Sequence, residues 1–417
     1  MSESPAYWQS SLPPSWEVRP LRYCVEFVSD SLSEATIPDY FLRYVDIGSV
    51  NQYAGITGYK EMFFRDAPSR ARKRVRRGDT IVSTVRTYLK AIAHIDDDND
   101  VIVSTGFAVL RPVLFQPDYL TYLVSSDLVC EEIERRSWGI AYPAISESAM
   151  STIRVPVPPR EEQGAIVKVL DERCCDIDQA CSILQHQLDV LGDYRKSLIQ
   201  EVVTHGLDPD AAMSPSDIDW IGDIPVHWQN KPFKYVAHVA ADLVIPDDYS
   251  ELPEIDPENI ERDTGHLVNV RTVGEVGPIS DKQHFHQGQV LYSKIRPSLN
   301  KVLVAPYEGL CSADIYPIDT KSDARWLAYV MRADFFVAQS ELVSNRVKMP
   351  KVNVDQLSYF VLPVPPRDEQ RAIADFLDAK SAKIDRIAAV KRAQLDNLRA
   401  QRQSIIYEYV TGKRRVV

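Results

Sequence analysis

Residues 155–204 align without a gap to residues 362–411, and 23 of the 50 positions are identical at an offset of 207. A repeat of that strength constrains the architecture before any element is assigned, because a duplicated sequence folds as a duplicated unit. The similarity also runs backwards along the chain. Leu12, Pro13, Trp16, Pro20 and Tyr23 match Ile224, Pro225, Trp228, Pro232 and Tyr235 at an offset of 212. Asp46, Gly55, Pro68, Gly78, Ser83, Arg86 and Leu89 match Asp256, Gly265, Pro278, Gly288, Ser293, Arg296 and Leu299 at an offset of 210. Leu120, Tyr122, Asp127 and Pro143 match Leu327, Tyr329, Asp334 and Pro350 at 207. The framework is shared while most residues on it differ. That contrast suits one mechanical role performed twice with two different ligand surfaces.

The repeat divides the chain into a globular part over 1–155, a long helix over 156–207, a second globular part over 208–361 and a second long helix over 362–417. Each helix is announced by Pro-Val-Pro-Pro-Arg followed by Glu/Asp-Glu-Gln. Proline blocks an earlier start, and acidic residues in the first turn suit the helix dipole. Behind it, Leu170, Ile177, Leu184, Leu191 and Leu198 form one heptad row. Cys174, Cys181, Leu188 and Val202 form another, interrupted by Arg195. That is a coiled-coil seam sustained over about 40 residues, or about 60 Å of helix. The second copy is less regular: Leu377, Ile384, Leu398 and Ile405 occupy the first row with Lys391 among them, and Ala388 and Leu395 the other. Either the two stripes bury against each other, which would set the globular parts at opposite ends, or each helix packs on its own domain.

The globular parts read as α+β. Residues 79–85 and 289–295 alternate as strands opened by Gly78 and Gly288, while 118–136 and 323–342 each read as one helix. Gly206 and Pro209 close the first long helix, and the link to the second copy is short.

At 417 residues and 45% hydrophobic side chains the chain exceeds a single small domain. It has no apolar run near 18 residues, and its first twelve residues lack the basic flank and apolar stretch of a signal peptide, which reads as cytoplasmic. Six cysteines without a C-x-x-C pair read as reduced thiols. The net charge of −11 excludes a surface coated in positive charge; only the last segment, 362–417, is net basic. Phosphate-cradling glycine loops and Glu-x-Lys are absent from the sequence, so it offers no nucleotide, methyltransferase-cofactor or nuclease centre and no catalytic residue. His284-x-His286 lacks a carboxylate or Cys at ligand spacing in the sequence and reads as a solvated strand face, with no metal expected. The run Asp96-Asp97-Asp98-Asn99-Asp100 reads as a solvated hairpin turn.

What remains is the basic run Arg65, Arg70, Arg72, Lys73, Arg74, Arg76 and Arg77, placed in a loop before Gly78 and flanked by Tyr53, Lys60 and Tyr88. Such a loop either grips phosphates or is a solvated surface. The matching segment of the second copy, 279–287, carries Lys282 as its one basic residue besides histidines, and Lys294 and Lys301 flank Arg296. Arg86 and Arg296 occupy the same place in both copies. They are either phosphate anchors shared by the two domains or structural partners of Asp46 and Asp256.

These residues resemble the specificity subunits of Type I restriction-modification systems. The carriers are the paired Ile/Leu-Pro-x-x-Trp openings at 12–16 and 224–228, the strands at Gly78 and Gly288, and the paired Pro-Val-Pro-Pro-Arg-x-Glu-Gln helices, in the same order twice along the whole chain. The resemblance implies two α+β target-recognition domains reading the halves of a bipartite, asymmetric site on double-stranded DNA. It implies a pseudo-two-fold repeat in which the long helices form an antiparallel coiled coil acting as a ruler. It further implies docking of two methyltransferase subunits and of restriction subunits, which would use S-adenosylmethionine and ATP, while this chain would use no cofactor and catalyse nothing itself. A protein-only coiled-coil scaffold, or a stand-alone methyltransferase or nuclease, are the competing readings.

Overall fold

The computed structural model describes residues 12–139, 142–277, 280–344 and 350–416. The stretch before Leu12 and Ile279 of the second-copy segment lie outside the described residues. Two compact units emerge, one formed by Met1–Gln185 with Arg392–Val417, the other by His186–Lys391. The boundary between them therefore falls inside both long helices, Arg160–His205 and Arg367–Val410.

The first unit holds two four-stranded sheets. One runs Lys60–Phe63, Phe41–Val45, Val101–Ser104, Ala71–Arg74, and the other Val25–Phe27, Phe107–Pro112, Thr80–Ser83, Ile92–His94. Val45, Ile81, Val103, Phe107 and Val109 fill the space between them. The far face of the second sheet receives the helices Pro117–Ser125 and Asp127–Arg136, and Tyr119, Leu120 and Leu123 join Ile166, Leu170, Ile405 and Ile406 of the long helices in one core. Covered on both sides, Thr80–Ser83 is buried at every position.

The second unit repeats this plan. Val290–Ser293, again wholly buried, lies in the four-stranded sheet that also contains Ala237–Val239, Ile315–Thr320 and Val302–Val304. A five-stranded sheet contains Lys282–Phe285 beside Gly309–Cys311. Trp326, Leu327, Ile373, Leu377, Ile199 and Val203 share the core under the long helices.

Two expectations change. The helices expected as single over 118–136 and 323–342 are each broken, at Ser126 and Ala333, positions that correspond in the repeat. Both residues are extended, with ψ near 150°, and the Ser126 hydroxyl donates to the Leu123 carbonyl, closing the first helix. A one-residue break leaves apolar periodicity almost untouched. The run 96–100 is not a hairpin turn: it passes from Ile92–His94 in one sheet to Val101–Ser104 in the other, held by Arg43 on Asp97 at 2.7 Å.

The repeated motifs are the joints of each unit. The opening strand Glu17–Pro20 pairs antiparallel with Arg154–Val157, and Gln229–Pro232 pairs the same way with Val361–Val364. The Trp16 indole N–H donates to Glu162 at 2.8 Å, and Trp228 to Glu369 at 3.1 Å. The buried Gln163 amide accepts from Gln116 N–H and donates to the Pro158 and Leu114 carbonyls. Gln370 accepts from Asp323 N–H and donates to the Pro365 carbonyl. These bonds satisfy buried loop groups that no regular ladder reaches. Tyr122 donates to Asp171, and Tyr329 to Asp378, about two turns further along each helix.

Gly206 and Gly412 end the long helices at positive φ, +77° and +69°. Gly206 sits against Trp228 and Glu369 in the second unit. In the first, a Cβ on Gly412 would lie 2.4 Å from Pro13, so only glycine fits.

Candidate nucleic-acid interface

The middle of the basic run expected as a loop is a strand. Ala71–Arg74 forms the edge of its sheet, paired to Val101–Ser104 with a bulge at Ser104. The sequence Ala-Arg-Lys-Arg hides this because arginines replace the usual β-formers, yet alternation still sorts the side chains. Lys73 points inward, donating to the Phe107 carbonyl at 2.8 Å and pairing with Glu147, so it is a structural cation. Arg72 lies 4.8 Å over the Phe64 ring, and Arg74 lies 5.9 Å over Tyr40 beside Asp30. Arg70, Arg76 and Arg77 are exposed and have no side-chain partner among the described residues. The backbone turn beneath them is rigid: Asp79, buried, accepts from Arg76 N–H and receives a bidentate Arg111 at 2.9 and 2.8 Å. Burial opposes the Arg111 charge less than Asp79 favours it, so the hydrogen bond to Asp79 raises its pKa above the ordinary arginine value.

The flanking residues divide. Arg65 is exposed, paired with Asp39 and 5.2 Å over Phe63. Lys60 pairs with Asp46, whose carboxylate also accepts from Ser49 N–H at 3.0 Å. Burial would raise the Asp46 pKa, but the Lys60 and Ser49 hydrogen bonds outweigh it and hold it below the ordinary carboxylate value. Tyr53 is half-buried, with Arg399 of the second long helix 5.0 Å over its ring, in a cavity of about 650 Å³ also lined by Lys90, Asp127 and Gln403.

Arg86 and Arg296 resolve more clearly. Asp46 and Asp256 take Lys60 and Lys282 as partners, so the arginines are not their counter-ions. Both arginines are exposed and left-handed, with φ of 51° and 46°, and each opens a three-residue 3-10 turn that ends on another left-handed residue, Lys90 or Asn300. Non-glycine residues adopt this conformation at a cost, and it concentrates at functional loops. Arg86 lies 5.0 Å over the Tyr142 ring, near the exposed Tyr88. Trp138, 81% exposed, bridges back to Ala144 through its main chain. Sequence reading missed Trp138 and Tyr142, which stand in a short connection with neither periodicity nor charge to mark them.

In the second unit the three lysines singled out in the sequence are each engaged by neighbouring groups. Lys282 is 7% exposed and bonded to Glu254, with Asp256 at 3.6 Å. Burial disfavours its charge, yet the two carboxylates outweigh burial and raise its pKa above the lysine value. It neutralises buried acid and offers no free ammonium. Lys301 donates to the Pro257 carbonyl, and burial lowers its pKa. Lys294 lies 5.0 Å over Tyr316. The His284-x-His286 pair is not a bare solvated face, because antiparallel pairing of Phe285 with Gly309 carries Glu308 to both rings. Twenty-odd residues of separation conceal that carboxylate from any local spacing rule.

Similarity to known proteins agrees with the duplicated plan. The family model described as "Type I restriction modification DNA specificity domain" matches residues 36–182 and again 258–397. The chain is 28% identical over 320 residues to the type I restriction enzyme EcoDI specificity subunit of Escherichia coli, covering 73% of this chain and 72% of that one. It is 22% identical over 429 residues to the putative type I restriction enzyme MjaX specificity subunit of Methanocaldococcus jannaschii, covering 97% and 95%. A solved chain from work described as "Structural basis underlying complex assembly and conformational transition of the type I R-M system" shares the fold at a TM-score of 0.62 and 23% identity, covering 96% of this chain and 98% of that one. Among the described residues no helix is long and apolar enough to cross a membrane.

Proposed function

Because this chain belongs to the family of type I restriction-modification DNA specificity domains, we propose that it is the DNA-recognition subunit of a type I restriction-modification complex, reading a bipartite, asymmetric site. The observation that carries this is the family match made twice, over two globular parts whose exposed residues differ. The first unit would engage DNA through Arg70, Arg76 and Arg77, the stacked Arg72 and Arg74, and the left-handed Arg86 beside Tyr142. Exposed guanidinium groups suit phosphates and base edges alike. The second would use Arg296 at the same place in the fold, with Lys294 near it. The excess of acid over base across its residues 208–361 is consistent with partner subunits supplying much of the phosphate neutralisation.

The long helices serve, on this reading, as an antiparallel coiled-coil ruler related by a pseudo-two-fold. Reciprocal pairing supports it: Arg402 bonds Asp178 within the first unit, Arg195 bonds Asp385 within the second, and each residue is the repeat counterpart of the other pair's. Two methyltransferase subunits and the restriction subunits dock on this frame, and methyl transfer and cleavage belong to them. The subunit itself works in the cytoplasm without a cofactor or catalytic centre. Selection of bound sequences from a random DNA pool by the complex with its methyltransferase should enrich a motif split by an unspecified spacer. Enrichment of one continuous motif would overturn the reading.

A further inference from the structure

Within the second unit, the strand Lys282–Phe285 turns Phe285 into the core and places His284 and the following His286 on the opposite face. Two other chain segments converge on that face. Glu308 precedes the strand Gly309–Cys311, paired to this one, and Asp242 precedes Leu243–Val244, paired on the other side. His284 Nε2 lies 2.8 Å from Glu308 Oε1, and His286 Nδ1 lies 3.7 Å from the same oxygen. The ligand atoms of His284, His286 and Glu308 all lie within 4.8 Å of one another. His284 Nδ1 faces Asp242 Oδ2 at 3.3 Å, so with a cation at Nε2 Asp242 would accept from Nδ1–H and hold the ring in place. Asp242 is itself held, its N–H donating to Gln283 and its carbonyl accepting from His284 N–H. The His284 side chain is 11% exposed, with Tyr249 5.4 Å from it on one side.

We propose that His284, His286 and Glu308 bind a divalent transition-metal ion of the zinc class, with Asp242 orienting His284 from behind. Donors about 2.0–2.2 Å from a tetrahedral zinc stand roughly 3.3 Å apart. The spacings of 2.8 and 3.7 Å to the shared Glu308 oxygen lie within about half an ångström of that value, and the third pair lies within 4.8 Å. Two imidazoles and one carboxylate are a zinc donor set that leaves a fourth position to solvent, and a carboxylate behind a ligating histidine is the usual support of such sites. The ion would clamp the turn before Gly309 to the strand at Lys282 and place two positive charges in the more acidic half of the chain.

The test uses the full-length chain freed of metal, titrated with Co²⁺ and then with Zn²⁺ against a chromophoric chelator. One ion per chain is expected, with a visible ligand-field band from Co²⁺ that Zn²⁺ displaces. His286→Ala and Glu308→Gln, both at exposed side chains, should abolish stoichiometric binding while the circular dichroism is unchanged. Asp242→Asn should weaken affinity about 10- to 100-fold and keep the stoichiometry. A Cys175→Ser background removes the exposed thiol as a competing ligand and should bind as the parent does. No binding at micromolar metal, or binding undiminished in the His286→Ala/Glu308→Gln double variant, would overturn the proposal and leave the cluster as ion pairs alone.

Discussion

Arg402 of the second long helix donates from Nε to Asp178 of the first at 2.9 Å, with its side chain only 10% exposed. Arg402 and Arg195 are repeat counterparts, as are Asp178 and Asp385, so the arginine that interrupts each heptad seam meets an aspartate placed to receive it. A buried polar pair in an apolar seam fixes register because any slip leaves a charge unpaired. Asp178→Ala should therefore destabilise the chain by about 1–3 kcal/mol in urea unfolding. Replacing both partners by leucine should cost much less. A loss under about 0.5 kcal/mol for the single change would show that the pair does not matter for register.

The buried Gln163 bridges three main-chain groups at the head of its helix. Gln163→Ala strands the Gln116 N–H and two carbonyls, and about 1–3 kcal/mol should be lost. Gln370→Ala should behave alike in the second unit, and thermal unfolding of the two variants provides the comparison.

Reversing Arg70, Arg76 and Arg77 to Glu should weaken binding to every DNA sequence. The plot of log affinity against log salt should flatten by about 0.9 for each phosphate contact removed. Lys73→Glu should instead unfold the domain, since it would set a second carboxylate against Glu147. An unchanged salt slope in the triple variant would mean the edge strand is only a solvated face.

If the helices are a ruler, one added heptad at the repeat-related points after Leu184 and Lys391 lengthens it by about 10 Å, roughly three base pairs. Methylation mapping should then report the same half-sites with a wider gap. An unchanged gap would separate spacing from the helices.

Burial pushes the Cys24 and Cys174 thiols up to about 11 and Cys130 up to about 12, so these remain protonated near neutrality. Thiolate is the reactive form, and stability gained from burying neutral thiols persists below their ordinary pKa and falls only as pH rises through it. Alkylation at pH 8 should label exposed Cys175 first and the buried thiols only in denaturant, as peptide mass mapping would record.

The long helices were legible because heptads and Pro-Pro-Arg starts are local signals, and the repeat exposed the double plan. Strand partners were not. Ala71–Arg74 carries charge where strands usually carry branched side chains, so its run looked like a loop. Lys282 looked available because Glu254 reaches it only through the folded sheet. Glu308 joins His284 by the same non-local route, and the Trp16–Glu162 joint links residues more than 140 positions apart. The breaks at Ser126 and Ala333 lie below the resolution of an apolar period, although both fall at one repeat position and could have been suspected together.

Gly206 against Trp228 and Gly412 against Pro13 are the same junction built twice, once with the peptide chain running through it and once without. The covalent order of the halves is thus incidental to how each half is held. Each unit closes on its own glycine, so a substitution at Gly206 or at Gly412 should loosen that unit and leave the contacts of the other in place.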